Sequence, residues 1–318
     1  MNLREFAQKI GLSQTTVSRA LSGYPEVKPA TRERVLEAAR TLGYRPNTSA
    51  IGLATGRVGA IGIVLIGGGN YGPHMTEFLG GLGARLTRDD VDILVTTVES
   101  REAEIAVYRR FAASKRVDAV ILHSPSLADE RIEALNALGL PFVLHGRATT
   151  RHAHAYLDID NYGATRLATS HLLDLGHRRI ALINGFAGRT FAEHRLSGFR
   201  DALADSGVAF DESLTGGGEF TEEMGFRLMS GLLDRPDPPT AVLAGSMMSA
   251  LGAIRAARVA GRSIGADLSL IAHDDVFSYI SPENLVPTLT TTRSSMRAAG
   301  ERIAELTLSL LGGVAPAD

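Results

Sequence analysis

From residue 60 onward, short apolar runs alternate with longer segments of helical periodicity, and this alternation leaves few folds open to the chain. AIGIVLI, DILVTTV, AVILHS and PFVLHG are separated by predicted helices at 75–88, 101–114 and 128–138. RIALINGF, TAVLAGS, LSLIAHDD and TLTTTR follow, interleaved with predicted helices at about 162–175, 192–206 and 247–260. A strand apolar throughout must be covered on both faces, and parallel neighbours need crossover helices between them. The pattern predicts an α/β body of two similar lobes with parallel sheets. Loops at the carboxyl ends of those strands should line a cleft between the lobes, where such sheets bind ligands.

The first 57 residues read differently. They hold nine Lys or Arg against four Glu, a net +5, whereas the whole chain is −2, leaving −7 on the body. A basic head on an acidic body suggests a module that faces phosphates. Asn2 with Glu5 has capping-box spacing, and Phe6, Ala7 and Ile10 share one helical face. Gly11 supplies a left-handed turn, Ser13 a second N-cap, and Val17, Ala20 and Leu21 a second apolar stripe. A third helix from about Pro29 to Leu42 is expected to close the core with Val35, Leu36, Ala39 and Leu42.

Helix, tight turn and helix is the arrangement that lays its second helix in a DNA major groove. Outside the predicted core that helix leaves Gln14, Thr15, Ser18 and Arg19. Arginine pairs with guanine O6 and N7, and glutamine with adenine N6 and N7, so these are the expected base readers. Asn2, Ser13, Thr16, Lys28 and Thr31 suit phosphates.

REFAQKIGLSQTTVSRALSG, VKPATRERVLEAARTLGYRPN and, at 160–182, DNYGATRLATSHLLDLGHRRIAL resemble the LacI/GalR family of bacterial transcription repressors. That resemblance implies a helix-turn-helix head at 1–46, a hinge at 47–57, and a periplasmic-binding-protein-like effector domain at 58–318. Its first lobe would span about 58–158 and 293–318, and its second about 159–292. Tyr44, Asn47, Ala50 and Leu53 fall in the family's hinge segment, with Leu53 expected to wedge a base step of the minor groove. Lys28 stands where the family places a serine cap, and Gly52 sits inside the hinge helix at a cost of about 1 kcal/mol relative to alanine.

The same register implies effector contacts from Arg195, Asp274, Phe220 and Asp158, with Asn70, Tyr71, His123, Ser124 and Met296 as further pocket residues. Planar Arg and Asp groups bond sugar hydroxyls in pairs while an aromatic ring packs on the apolar face. Ser246 and Met247 replace the family's Asn-Asp pair, which changes the hydrogen-bond pattern offered to a ligand. NYGPH and IAHDDVFSYI most resemble α-glucoside-responsive members, so a mono- or disaccharide is the expected effector, with a purine or other corepressor as the alternative. The implied partners are a palindromic operator and a second copy of the chain, since one head buries too little surface for operator affinity. Helix 75–88, with Phe78, Leu79, Leu82 and Leu86, is the expected dimer face. The family pattern also runs on past Asp318, so a terminal strand of the second lobe is expected to be missing.

Other classes have little support. With no cysteine there are no disulfides or thiolate chemistry, and neither a signal peptide nor an apolar run of roughly 18 residues is present, so a cytoplasmic protein is expected. Gly67, Gly69 and Gly72 spell GxGxxG after a strand, yet Glu99 lies too far on for a ribose carboxylate, so an NAD-binding enzyme is a distant alternative. The nine histidines lack metal-ligand spacing, and no cofactor is implied; His152 and His154 are expected to be solvated.

Overall fold

The computed structural model describes residues 1–21, 23–44, 57–67 and 72–313. The head is three helices: α1 (Leu3–Ile10), α2 (Gln14–Leu21) and α3 (Pro29–Thr41). Asn2 and Glu5 form the reciprocal capping box at α1. Gly11 ends that helix at φ +67°, a conformation only glycine adopts freely, and Leu12 N–H closes on the Ala7 carbonyl. Ser13 Oγ accepts the Thr16 N–H, so α2 begins one tight turn later. Phe6, Ile10, Val17, Ala20, Val27, Val35 and Ala39 form the core. Leu36 and Leu42, expected inside, are 43% and 42% exposed, because Val35 and Ala39 alone lie on the face that meets α1 and α2. Lys28 gives α3 no side-chain cap.

Tyr44 corrects the hinge expectation. Its ring stacks on Phe6 at 4.3 Å and is buried, so it belongs to the core of the head rather than to a separate hinge segment. Asn47, Ala50 and Leu53 lie outside the described residues.

The body is two five-stranded parallel sheets. The first has strand order β2-β1-β3-β4-β5, from β1 (Ala60–Ile66), β2 (Asp92–Val98), β3 (Ala119–His123), β4 (Phe142–His145) and β5 (Ala155–Leu157). The second has order β10-β9-β8-β6-β7, from β6 (Ile180–Asn184), β7 (Thr215–Gly217), β8 (Ala241–Ala244), β9 (Ser269–Asp274) and β10 (Thr290–Arg293). Helices cover both faces: α4 (Gly72–Leu86), α5 (Arg101–Ser114) and α6 (Glu130–Leu138) on the first, then α7 (Asn161–Asp174), α8 (Thr190–Asp205), α9 (Glu222–Leu233) and α10 (Met247–Val259) on the second. The last helix, α11 (Met296–Leu311), returns to the first lobe and packs along α4. Gly300 permits that approach, since a Cβ there would sit 2.2 Å from the Phe78 carbonyl oxygen. Among the described residues β10 and β7 are the two outer strands of the second sheet.

The α4 face expected to pair with a second copy is already occupied. Phe78, Leu82 and Leu86 are fully buried against Ile61, Ile63, Ile121, Val143 and Ile303, with Leu79 packed at the margin. The returning α11 and the sheet face between them take these apolar side chains. His152 and His154 are likewise half-buried: His152 Nε2 lies 2.7 Å from Glu133 Oε2, and His154 stacks near Phe142.

Two polar devices hold the strand ends. His177 of the 160–182 segment bonds Thr240 Oγ1 and Ser269 Oγ, each at 2.9 Å, tying the approach to β6 to those of β8 and β9. In the first lobe Arg131 is buried, grips Asp129 bidentately at 2.8 and 2.7 Å, reaches Glu104 at 3.2 Å, and donates to the His123 carbonyl. Burial alone would lower the pKa of its guanidinium, but Asp129 and Glu104 outweigh it and hold the group firmly charged.

Candidate functional site

Two surfaces collect the polar side chains that the sequence leaves unexplained by folding. On the head, Gln14, Thr15, Ser18 and Arg19 line one shallow hollow, as the face of α2 turned from its Val17–Ala20 stripe must. Leu3 and Tyr24 complete it, and the sequence reading had passed over both. Arg19 is half-exposed and 3.7 Å from Glu26, a surface pairing worth little and easily exchanged for a base or phosphate. Lys28 is exposed, and Thr31 and Thr16 are half-buried beside it or along α2. Asn2 is a poorer phosphate ligand than its residue type suggests, because both ends of its amide are engaged by Glu5. Ser13 is similarly committed to Thr16.

The second surface is a cavity of about 420 Å³ between the lobes, within the range of small-molecule sites, roughly 300–1,000 Å³. Strand ends build it, as the topology requires. His123 ends β3 and Ser124 follows it, His145 ends β4, Asp158 follows β5, and His273 and Asp275 come from the end of β9. Arg195 stands at its centre on the second lobe. It is 7% exposed, donates Nε to Asn161 Oδ1 at 2.9 Å and Nη1 to the Gly245 carbonyl at 2.6 Å, and lies within 6 Å of the Phe191 and Phe220 rings. Nη2 has no partner among the described residues. Burial pushes the guanidinium pKa down to about 10, which leaves it charged at neutral pH. Asp160 caps α7 through the Gly163 N–H, and this orients Asn161 toward Arg195.

Of the expected effector contacts, Arg195, Phe220, Asp158, His123, Ser124 and Met296 line the cavity. Burial raises the Asp158 pKa, with Arg147 at 3.6 Å opposing the shift. Two expectations are corrected. Asp274 is turned away and buried, accepting the Val276 N–H and pairing with Arg293 at 3.3 Å, and the neighbouring Asp275 takes the cleft position. Ser246 is fully buried as the N-cap of α10, accepting from the Met248 and Ser249 N–H groups, so Met248 lines the cavity in its place. Asn70 and Tyr71 lie outside the described residues.

His74, His145, Asn161 and Phe191 also border the cavity, and the sequence reading did not single them out. His145 closes a predicted strand, and the rule that strand ends face the ligand would have found it. His74 crosses the cleft: its Nε2 is 3.1 Å from Asp275 Oδ2 without the alignment of a hydrogen bond, and its ring packs edge-on to Phe277. The lobes also bond directly at one rim. Thr190 N–H and Oγ1 both donate to the Pro125 carbonyl, Arg189 Nη1 donates to the Ser124 carbonyl at 2.9 Å, and Ser126 bridges Arg189. No group of three metal-ligating side chains occurs among the described residues.

A three-helix DNA-reading head joined to a two-lobed body with a cavity at its strand ends is the design of a bacterial transcription regulator that answers to a small molecule. The chain belongs to the lacI family of bacterial regulatory proteins, whose pattern matches residues 2–47, and residues 169–318 match the periplasmic binding protein-like domain. It is 49% identical over 317 residues to the HTH-type transcriptional regulator AglR of Rhizobium meliloti (strain 1021), covering 99% of this chain and 88% of that protein. Among solved structures it is similar to the transcriptional regulator CelR–cellobiose complex, at 31% identity and TM-score 0.72 over 99% of this chain and 95% of the other. It is also similar to the lac repressor dimer bound to operator and the anti-inducer ONPF, at 26% identity and TM-score 0.82 over 99% and 93%. These relatives are regulators and not enzymes, so the GxGxxG run does not mark a dehydrogenase. No helix among the described residues is long and apolar enough to cross a membrane.

Proposed function

We propose that the protein is a cytoplasmic repressor that binds a pseudo-palindromic operator as a homodimer and is controlled by a mono- or disaccharide of the α-glucoside type. Residues 1–46 would read DNA, 47–57 act as the hinge, and 58–318 hold the effector, with the lobes divided near 158 and 293. Gln14, Thr15 and Arg19 are the base readers, with Lys28 and Thr31 on phosphates; Asn47, Ala50 and Leu53 are assigned to the hinge by the family pattern alone. Arg195, Asp158, Asp275 and Phe220 are the principal effector contacts. A saccharide bound more tightly by one lobe arrangement than by another shifts the balance between them, and that difference is the whole source of control.

The observation that carries this reading is Arg195, buried against two aromatic rings with one guanidinium nitrogen unpaired beside the cavity. That combination suits a ligand with both hydroxyls and an apolar ring face. A thermal-shift screen of maltose, trehalose, sucrose, cellobiose and hypoxanthine should give a saccharide hit. That hit should alter retention of a duplex selected by the protein from a random library. Failure of every saccharide alongside a response to hypoxanthine would transfer the assignment to a purine. Failure to enrich any duplex would remove the regulator reading altogether.

A further inference from the structure

On the first-lobe wall of the cavity two histidines face each other. His123 Nδ1 and His145 Nδ1 are 2.9 Å apart, and such a bond needs a proton on one nitrogen and a lone pair on the other. If both rings are neutral, the ring protonated at Nδ1 has its lone pair at Nε2, and its partner carries its proton there. The pair therefore offers one donor and one acceptor through its two Nε2 atoms. Neither Nε2 has a partner among the described residues, neither is sealed from solvent, and both rings border the cavity.

The rings are held so that their tautomers are the main freedom left. Phe78 stacks flat on His145, with ring centroids 4.6 Å apart and planes 5° from parallel, and lies 5.3 Å from His123. Arg131 fixes the His123 backbone carbonyl. The charged and titratable groups acting on His123 are Arg131, Arg189 and His74 besides His145, and each opposes a further positive charge. Burial acts the same way on both rings, so the pair is neutral at neutral pH.

We propose that His123 and His145 act as one specificity element that accepts the hydroxyl groups of an uncharged saccharide and excludes an anionic sugar from the first-lobe side of the cavity. The inference rests on the interlobe cavity being the effector site. A hydroxyl both donates and accepts, so it satisfies either Nε2, and the pair adapts to its orientation by exchanging which ring donates. A phosphate or carboxylate in its charged form only accepts, so it can take the one Nε2–H of the neutral pair but leaves the lone pair of the other Nε2 facing it without a donor. Only a protonated pair, with two Nε2–H donors, would welcome it.

The test uses the full chain labelled with ¹⁵N-histidine, whose ring nitrogens report protonation site by site. At neutral pH the free protein should show one ring protonated at Nδ1 and the other at Nε2. Saturating maltose, trehalose, sucrose or cellobiose, whichever binds, should shift both Nε2 signals, while glucose 6-phosphate should bind at least about tenfold more weakly. His145→Gln, which keeps a polar tip but cannot make the ring-to-ring bond, should weaken the saccharide about tenfold or more by calorimetry. A saccharide that binds, and is weakened by Arg195→Lys, yet leaves both Nε2 signals unmoved would overturn the role of the pair while sparing the cavity assignment. Tight glucose 6-phosphate binding, whether the pair stays neutral or takes up one further proton, would overturn the exclusion of anions. No binding by any of the five sugars would overturn both the inference and the effector reading beneath it.

Discussion

Replacing Arg195 with lysine separates the charge of the cleft from the geometry of its guanidinium fork. In the native protein the fork spans two fixed acceptors, Asn161 Oδ1 and the Gly245 carbonyl, and turns a third nitrogen loose. A lysine ammonium is a single point and reaches one of them. Asn161 is 3% exposed, so its oxygen would lose its donor without gaining water, at about 1–3 kcal/mol. At about 2–4 °C per kcal/mol for a body of this size, the free protein should melt several degrees lower. Burial opposes charge at this site, lowering the arginine pKa to about 10, and a lysine there would meet the same penalty from a lower starting value. Loss of one charge-assisted contact, about 1.5–3 kcal/mol, should weaken the saccharide found by thermal shift about ten- to a hundredfold. Differential scanning fluorimetry and titration calorimetry read the two effects separately. A variant with native melting temperature and native affinity would refute the reasoning, since Arg195 would then be neither an organiser of the cleft nor a ligand contact.

On the head, Arg19→Ala should cost about 1–3 kcal/mol at one base pair and relax specificity there, as measured by binding to a panel of single-substituted duplexes. Lys28→Ala should instead weaken all duplexes alike and reduce the salt slope by about one; equal patterns from both variants would contradict the division of roles. Burial pushes the pKa of His145 and of His273 down to about 4, so between pH 6.5 and 4 the unfolded chain binds protons that the folded one refuses. Their effect on stability is therefore absent above about pH 6.5 and grows as the pH falls toward 4, destabilising the fold by about 1.4 kcal/mol per unit of pKa difference for each ring. Urea denaturation against pH should show this loss, with a shallower dependence in His145→Gln; an unchanged curve in that variant would assign the acid sensitivity elsewhere. Gly300→Ala places a carbon against the Phe78 carbonyl and should destabilise by about 1–3 kcal/mol in urea, whereas a neutral result would mean that α4 and α11 slide apart freely.

The doubly wound layout was legible because β1, β3, β4, β6 and β8 are nearly continuous apolar runs, and such runs need a sheet covered on both faces. The short strands were not. β7 is Thr-Gly-Gly and β5 is three residues, so neither carries a periodic signal, and each is a strand only because a longer neighbour offers a ladder. The helices α9 and α11 were missed as well, and their glycines are not the reason, since α4 carries four and was predicted. Arg195 and Phe220 were legible through motif register, because whole segments fix their place. Asp275 was not, since choosing between two adjacent aspartates needs the direction in which the strand end turns. His74 and His145 were visible as residues but carried no motif; their role emerges only when strands distant in sequence bring their ends together.

The rim contact between Pro125 and Thr190 has an evolutionary consequence. Its acceptor is the backbone carbonyl of Pro125, at the edge of the cavity, and one of its two donors is the backbone N–H of Thr190, so this part of the contact does not depend on which side chains line the rest of the cavity. Side chains within the cavity can thus be exchanged, and a new nutrient recognised, while the mechanical stroke of the two halves stays the same. Descendants of one such scaffold could diversify their diet without reinventing their switch.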